Sequence, residues 1–283
     1  MKAASAMLAV LACVAACTEA QDPTPVSNDA PRIVSLAPNL TELMYTIGAG
    51  DQLVGVSAWS DYPQEALDLP VVGDAFSVDQ ERLALVNPDL LLVWESGTPA
   101  RTIEQLRATG YRVASIRTRG LDDIADAMLR LGALTGRTDE AARAAAEFRA
   151  GLWSLQERFA GLDPIRVFYQ VSARPLFTVN KEHYVSKLIS ICGGENIFND
   201  LNDLAPTVDV EAVVDRNPEV MLASTDAGDN AFDEWERWPE IAANRFGNQF
   251  LLPADEIGRA TARLIIAGEA LCTALQQARV NRG

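Results

Sequence analysis

A short pattern occurs twice in this chain at a fixed separation, and it constrains the fold more than any other feature. The first copy runs Ser77-Val78-Asp79-Gln80-Glu81, then Asn87-Pro88-Asp89 and an apolar run; the second runs Thr207-Val208-Asp209-Val210-Glu211, then Asn217-Pro218-Glu219 and another apolar run. Residues 81 and 211, and residues 87 and 217, are both 130 apart. Each copy reads as a helix cap, an early glutamate, a short helix, an Asn-Pro stop and a strand. Two copies of one supersecondary unit imply two similar halves. They also put Glu81 and Glu211 at equivalent exposed positions near helix N-termini, a pseudo-twofold pair of carboxylates. The plainer reading of that pair is that both acids complement helix dipoles.

From Arg32 onward, short β-branched or leucine-rich runs alternate with helical patterns, the signature of βαβ units and mostly parallel sheets. The fold class is α/β. The first unit is a strand at 32–36 followed by Pro38; Asn39 then stands three residues before Glu42, the spacing of a capping box that opens a helix ending at Gly48 or Gly50. Further strands are predicted at 53–57, 89–94, 112–116, 166–171, 219–223 and 250–252, with a helix at 183–192. Between the halves, Phe148, Leu152, Leu155 and Phe159 recur at helical spacing. They give one apolar face to a helix of about six turns over 138–161. Asp163-Pro164 then stops it. The predicted organisation is an N-terminal lobe (32–137), an inter-lobe helix (138–161) and a C-terminal lobe (162–283): two Rossmann-like lobes with mostly parallel sheets joined by one long backbone helix.

The first residues are suited to export. Lys2 precedes the apolar run Ala3 to Ala16, which is too short to span a bilayer and fits a secretory signal over 1–16. Val14-Ala15-Ala16-Cys17 places small residues before a cysteine, as a bacterial lipoprotein processing site does. Cys17 is therefore the candidate lipid attachment point, with Cys13 the weaker competitor; an ordinary signal cleaved nearby without lipid is the alternative. Residues 17–31 hold prolines, polar residues and acids with almost nothing apolar, and read as a flexible tether. The expected location is the periplasm or the outer face of the cell membrane, with membrane contact only through the lipid. In that oxidising compartment Cys192 and Cys272 form either one disulfide or two buried free thiols. The formal net charge of −15 gives a surface that repels nucleic acid and anionic membrane.

Catalytic chemistry finds little to work with. His183 is the only histidine, so a site built on two histidines cannot form. No serine sits in a Gly-x-Ser-x-Gly elbow, and neither a P-loop nor Gly-x-Gly-x-x-Gly is present. His183 reads as an ordinary residue at a helix start. Large rings, by contrast, cluster after predicted strands: Trp59 and Tyr62 flank Ser60-Asp61, Trp94 ends a strand, and Phe177 follows the strand at 166–171. Open α/β sheets bind ligands at such strand ends. Rings there suit a broad, flat, mostly apolar ligand.

Two runs carry a resemblance: Val54-Gly55-Val56-Ser57 leading into Ser60-Asp61-Tyr62-Pro63, and Cys192-Gly193-Gly194-Glu195-Asn196-Ile197-Phe198. Over residues 31 to about 275 the chain resembles the periplasmic cobalamin-binding proteins. These belong to the helical-backbone class of ABC-importer substrate-binding subunits, which also serves siderophores and haem. The resemblance implies a corrinoid held edge-on between the lobes. Its rings would be Trp59, Tyr62, Phe76, Trp94 and Phe177, with Asp255 and Arg259 meeting the corrin amides and phosphate. It also implies that Glu81 and Glu211 dock onto arginines of a permease, that Cys192 pairs with Cys272, that no cofactor is carried, and that a monomer serves the permease and its ATPase. Ala75 or its neighbour Phe76, Val171 and Ala205 stand where relatives often carry rings, which points to a smaller corrinoid such as cobinamide or to a different metal chelate. Docking and capture are expected on opposite surfaces. A ferric siderophore or haem carrier is the alternative in this class, with Tyr62, Tyr169, His183 and Tyr184 as the available haem ligands. A hydrolase acting on cell-envelope material is the reading from another class.

Overall fold

A computed structural model describes residues 30–74 and 77–283. The predicted signal, Cys13, Cys17, the tether up to residue 29, Ala75 and Phe76 lie outside these described residues. The first half contains β1 (Ile33–Ser35), α1 (Pro38–Thr46), β2 (Leu53–Val56), α2 (Gln80–Val86), β3 (Leu90–Trp94), α3 (Ala100–Ala108), β4 (Val113–Ile116) and α4 (Leu121–Thr135). Helix α5 (Thr138–Phe159) leads to β5 (Ile165–Gln170), the hairpin of β6 (Ser172–Ala173) and β7 (Leu176–Phe177), α6 (Tyr184–Ile191) and β8 (Gly194–Asn196). The chain ends with α7 (Val210–Arg216), β9 (Val220–Ser224), α8 (Ala242–Phe246), β10 (Gln249–Leu252), α9 (Ala254–Gly258) and α10 (Leu264–Arg282).

The repeat in the sequence is a repeat in topology. The first sheet has the order β2-β1-β3-β4 and the second, read from its β8 edge, β8-β5-β9-β10; all pairings in both are parallel. Each half thus places its second strand beside its first on one side and its third and fourth on the other. In each half this reversal leaves a crevice at the carboxyl ends of the first and third strands. The repeated Asn-Pro stop explains the local match. Asn87 and Asn217 end α2 and α7 with left-handed φ of 43° and 44°, which asparagine tolerates better than most residues. The acid after each proline then ties back to the first strand. Asp89 accepts the Arg32 N–H at 2.8 Å and Glu219 accepts the Arg166 N–H at 3.0 Å, while both arginine side chains donate to the asparagine carbonyls.

Side-chain alternation along the strands divides the core into layers. Leu90 and Leu92 of β3, with Val167 and Tyr169 of β5, face a central apolar cluster, whereas Leu91 and Val93, and Phe168 and Met221, face separate outer clusters. The central cluster is continuous between the halves through Ala141, Ala145, Phe148, Leu152, Leu155 and Phe159 of α5. Cys192 at the end of α6 is bonded to Cys272 of α10, with Cα atoms 4.8 Å apart. Helix α10 also lies against α5: a Cβ on Gly268 would stand 2.7 Å from Leu155 Cδ1, so glycine permits the close approach. The apolar residues of α10 are spread around the helix because α5, α6 and β10 all cover it, which is why no single stripe marks it in the sequence. Among the described residues no helix is long and apolar enough to cross a membrane.

One local expectation is overturned. Asn39 does not cap α1; the N-cap is Ala37, Pro38 takes the first helical position, and Asn39 and Glu42 both lie buried inside the helix. Glu42 is therefore free for another role.

Candidate functional site

The segment after β2 is pinned by buried hydroxyls. Ser57 donates its N–H to Ser35 O at 2.8 Å, and the Ser60 hydroxyl lies 3.3 Å from that of Ser57 and 3.1 Å from that of Thr41. The chain turns between these anchors with Trp59 at φ 68°, an unusual conformation for a bulky residue, and the side chain is 79% exposed. Such strain costs about 1–3 kcal/mol and persists only where the surroundings impose it.

The other half reaches Trp59 directly. Arg259, just beyond α9 and only 15% exposed, donates from Nη1 to Glu42 Oε1 at 2.8 Å and to Asp61 Oδ1 at 2.7 Å. Its Nη2 donates to Trp59 O at 3.3 Å and pairs with Asp255 Oδ1 at 3.1 Å. Arg263, one helical turn on, pairs with Glu256, lies 3.5 Å from Glu42 Oε1, and stacks its guanidinium 3.9 Å from the centre of the Tyr62 ring. The residue Glu42 is 2% exposed and its Oε2 is buried without a hydrogen-bond partner.

The electrostatics follow from this geometry. Burial pushes the Glu42 carboxyl above its ordinary range, with Arg259 and Arg263 pulling the other way. The hydrogen bond from Arg259 holds Asp61 below the usual carboxylate range. Burial lowers Arg259, but Asp61 and Glu42 outweigh it, so the guanidinium is held more firmly charged than normal. Two guanidiniums and four carboxylates thus meet where the halves touch.

The structure therefore brings together Trp59, Tyr62, Asp255 and Arg259 of the predicted set. Trp94 ends β3 and packs against the central cluster, its Nε1 buried and unpartnered. Phe177 sits on the hairpin beyond β5, where its carbonyl accepts the Val171 N–H and it bridges to Thr207. Both lie at the carboxyl edges of the sheets. Phe76 lies outside the described residues. Glu81 and Glu211 are exposed at the second positions of α2 and α7. Those helix starts also lie at the carboxyl edges: before α2 the Asp79 N–H bonds Val72 O and the Val72 N–H bonds Val56 O at the end of β2, and before α7 the Val208 N–H bonds Leu176 O of the hairpin that follows β5. The glutamates and the rings accordingly share one side of each sheet, not opposite surfaces.

Glu42, Asp61, Glu256 and Arg263 are the members of the cluster that sequence reasoning missed, and two of them carried a signal. Their signals were a glutamate among Leu40, Leu43 and Met44 on a helix start, and two arginines four residues apart. The haem-ligand candidates fare poorly. Tyr169 and Tyr184 are buried in the central cluster, with burial pushing both phenols up. His183 Nδ1 accepts the Val185 N–H at 3.2 Å as the cap of α6, and Tyr62, though 45% exposed, has the Arg263 guanidinium stacked on its ring. A hollow of about 600 Å³ lies elsewhere, between the start of α4, α5 and α6, lined by Trp153, Arg149 and Lys187 among others. The Arg259 cluster is the better candidate because its charged groups converge where the halves meet, around the buried Glu42 and the largely covered Arg259.

A model of the periplasmic binding protein family matches residues 33–256. The vitamin B12-binding protein of Vibrio cholerae serotype O1 is 38% identical over 248 residues, covering 87% of this chain and 90% of that protein. The vitamin B12-binding protein of Pectobacterium atrosepticum is 34% identical over 256 residues, covering 87% and 88%. The solved structure of the periplasmic vitamin B12 binding protein BtuF of Vibrio cholerae matches with a TM-score of 0.80 at 37% identity, over 88% of this chain and 98% of that one. The periplasmic heme-binding protein BhuT matches with a TM-score of 0.78 at 20% identity, over 88% and 99%, and shares the fold alone.

Proposed function

Because the chain belongs to the periplasmic binding protein family, we propose that it is the extracytoplasmic substrate-binding subunit of an ABC importer and that its ligand is cobalamin or a related corrinoid. It captures by non-covalent burial and performs no reaction. The observation that carries this reading is Trp59: a large ring held outward in a costly backbone conformation where the two halves meet contributes nothing to the core and offers a flat face to a macrocycle. The identity to vitamin B12-binding relatives supports the same ligand.

The lobes are 32–137 and 162–283, joined by α5. Trp59, Tyr62, Trp94, Phe177, Asp255 and Arg259 line the cleft in this reading, and Phe76 joins them. Glu81 and Glu211 dock onto the permease; their support is equivalent exposed placement, with neither in an ion pair among the described residues. A monomer anchored by lipid at Cys17 presents the loaded cleft to the permease, whose ATPase drives import.

The test is direct. The chain from residue 18, mixed with cyanocobalamin and desalted, retains the corrinoid's visible absorbance at one ligand per chain. Loss of all colour, alongside retention of haem or a ferric chelate, would transfer the reading to the iron-chelate branch of the class.

A further inference from the structure

The duplicated unit keeps its glutamate in both copies but not what surrounds it. Beside Glu211, Val210 forms one wall of a hollow of about 110 Å³ that Ala173 and Leu176 of the hairpin, Ala231, Trp235 and Trp238 largely complete. The counterpart of Val210 in the first copy is Gln80, which lines a hollow of about 540 Å³ with Ser77, Thr102, Gln105 and Thr109. One hollow is narrow and apolar, the other wide and polar. The walls of the narrow one are fixed from behind. The Trp235 ring is 3% exposed and meets Phe168 edge-on, with centroids 5.6 Å apart, and its centroid lies 5.8 Å from that of Trp238. Trp235 Nε1 donates to Gln170 Oε1 at 2.8 Å, Gln170 Nε2 donates to Ala231 O at 2.9 Å, and Asn244 Nδ2 donates to Trp235 O at 2.7 Å and Trp238 O at 2.8 Å. Charge differs as well. On the elements that wall the narrow hollow, Asp209, Glu211, Asp233 and Glu236 are exposed and in no ion pair among the described residues, against one unpaired cation, Arg237; Glu234 is taken by Arg174. Around the wide hollow, Arg82, Arg101 and Arg107 balance Asp79, Glu81 and Glu104.

We infer that the narrow hollow is an anchor site for the permease, which inserts one aliphatic side chain flanked by basic residues, and that the C-terminal lobe is therefore the tighter of two docking points. This rests on the reading that Glu81 and Glu211 dock onto the permease, and adds a second element to one of those contacts. The size fits: a dry cavity of about 150 Å³ holds a benzene ring, so this smaller space suits a single side chain of about leucine size. The apolar walls favour an aliphatic group, and the surplus of unpaired carboxylates around them favours cationic neighbours. Interfaces concentrate their binding energy where an anchor fills a well-packed, desolvated pocket. A pocket whose walls are already held loses little freedom when it is filled. The wide hollow at the N-terminal lobe has too much room and too many polar walls to grip one side chain, so Glu81 contributes an exposed charge contact alone.

The experiment fills each hollow from an exposed position on its rim. Ala173→Trp closes the narrow one and Gln105→Trp occupies the wide one; each full-length variant replaces the unaltered chain in cells that take up labelled cyanocobalamin. Purified variants are checked for thermal unfolding and cyanocobalamin binding. Ala173→Trp is expected to lower import at limiting amounts of the chain by about tenfold or more, and Gln105→Trp to change it by less than about twofold. Both should bind cyanocobalamin as the unaltered chain does. Trp238→Ala, which removes a wall instead of adding bulk, should also lower import with binding kept, and carries the test if Ala173→Trp does not fold. Normal import by the folded Ala173→Trp chain, or equal impairment by the two tryptophan variants, would overturn the anchor and leave the glutamate contacts standing. Loss of cyanocobalamin binding in Ala173→Trp and Trp238→Ala would overturn it too, by placing the hollow in the capture site. Normal import by the Glu81→Ala, Glu211→Ala double variant would overturn the docking reading itself.

Discussion

The single histidine makes the folded state sensitive to acid in a way that can be worked out. His183 caps α6, its Nδ1 accepting the Val185 N–H at 3.2 Å, and its ring centre lies 4.2 Å from that of Tyr184. A nitrogen that accepts a hydrogen bond carries no proton, and burial lowers this imidazole from 6.5 to about 4. The folded value lies below the unfolded one, so the unfolded chain takes up the proton first as pH falls. The neutral ring's contribution is intact above 6.5 and lost progressively toward about 4. Linkage between those two values gives a loss of about 2 kcal/mol at pH 5 relative to pH 7.5, and roughly 3 kcal/mol once both states are protonated. His183→Asn keeps a side-chain acceptor at the cap, a position asparagine fills well, and has nothing to titrate. Urea unfolding followed by tryptophan fluorescence at the two pH values should show a smaller stability drop in the variant, by about 2 kcal/mol. Carboxylates titrate in both proteins and cancel. Equal pH dependence in the two proteins would refute a buried, neutral, accepting imidazole.

Glu81→Ala combined with Glu211→Ala should leave cyanocobalamin binding unchanged and abolish import into cells; a matching loss of affinity would put these side chains in the cleft. Trp59→Gly should raise thermal stability by about 1 kcal/mol, since glycine takes the positive φ without strain, and weaken cyanocobalamin binding by about tenfold or more. A less stable variant would mean that the ring is needed for packing. Cys192→Ser with Cys272→Ser opens a crosslink between residues 80 apart in sequence and should cost about 4 kcal/mol in urea unfolding; unchanged stability would contradict a constraining bridge. Small-angle scattering should give the same radius of gyration before and after cyanocobalamin is added, because the halves share one core; measurable compaction would indicate hinge closure.

Much of the fold is legible in the sequence because it is written in local patterns. The α5 stripe of Phe148, Leu152, Leu155 and Phe159 is covered on one side and emerges as a helix over nearly the predicted span. The Asn-Pro stops specify two left-handed caps and, through them, two equivalent strands. Helix α10 escapes such a reading because neighbours on several sides cover it, which erases the amphipathic stripe. The two-residue strands of the hairpin carrying Phe177 are too short to show an alternation. Strand β8 hides in Gly194-Glu195-Asn196, a glycine-led run with little strand preference, ordered by pairing with β5.

The site was only half legible, and Glu42 shows why. Asparagine followed three residues later by glutamate is a sound capping signal when only the neighbouring backbone is considered. Pro38 takes the first helical position instead, the helix starts earlier, and Glu42 is carried into the interior. An ionised carboxylate there is unfavourable unless paired, and its partner, Arg259, is 217 residues away in sequence. No reading confined to nearby residues contains that pairing. The same contact also limits how the halves can move. Separating them would strip apolar cover from the α5 stripe and leave Glu42 as a buried, unpaired charge, a loss typically of about 3–5 kcal/mol. The lobes are thus held at two places, by the shared core along α5 and by the ion-pair cluster where Trp59 stands. A cleft fixed in this way must be shaped for its ligand before the ligand arrives, which accounts for strain being tolerated at Trp59 to keep one ring exposed.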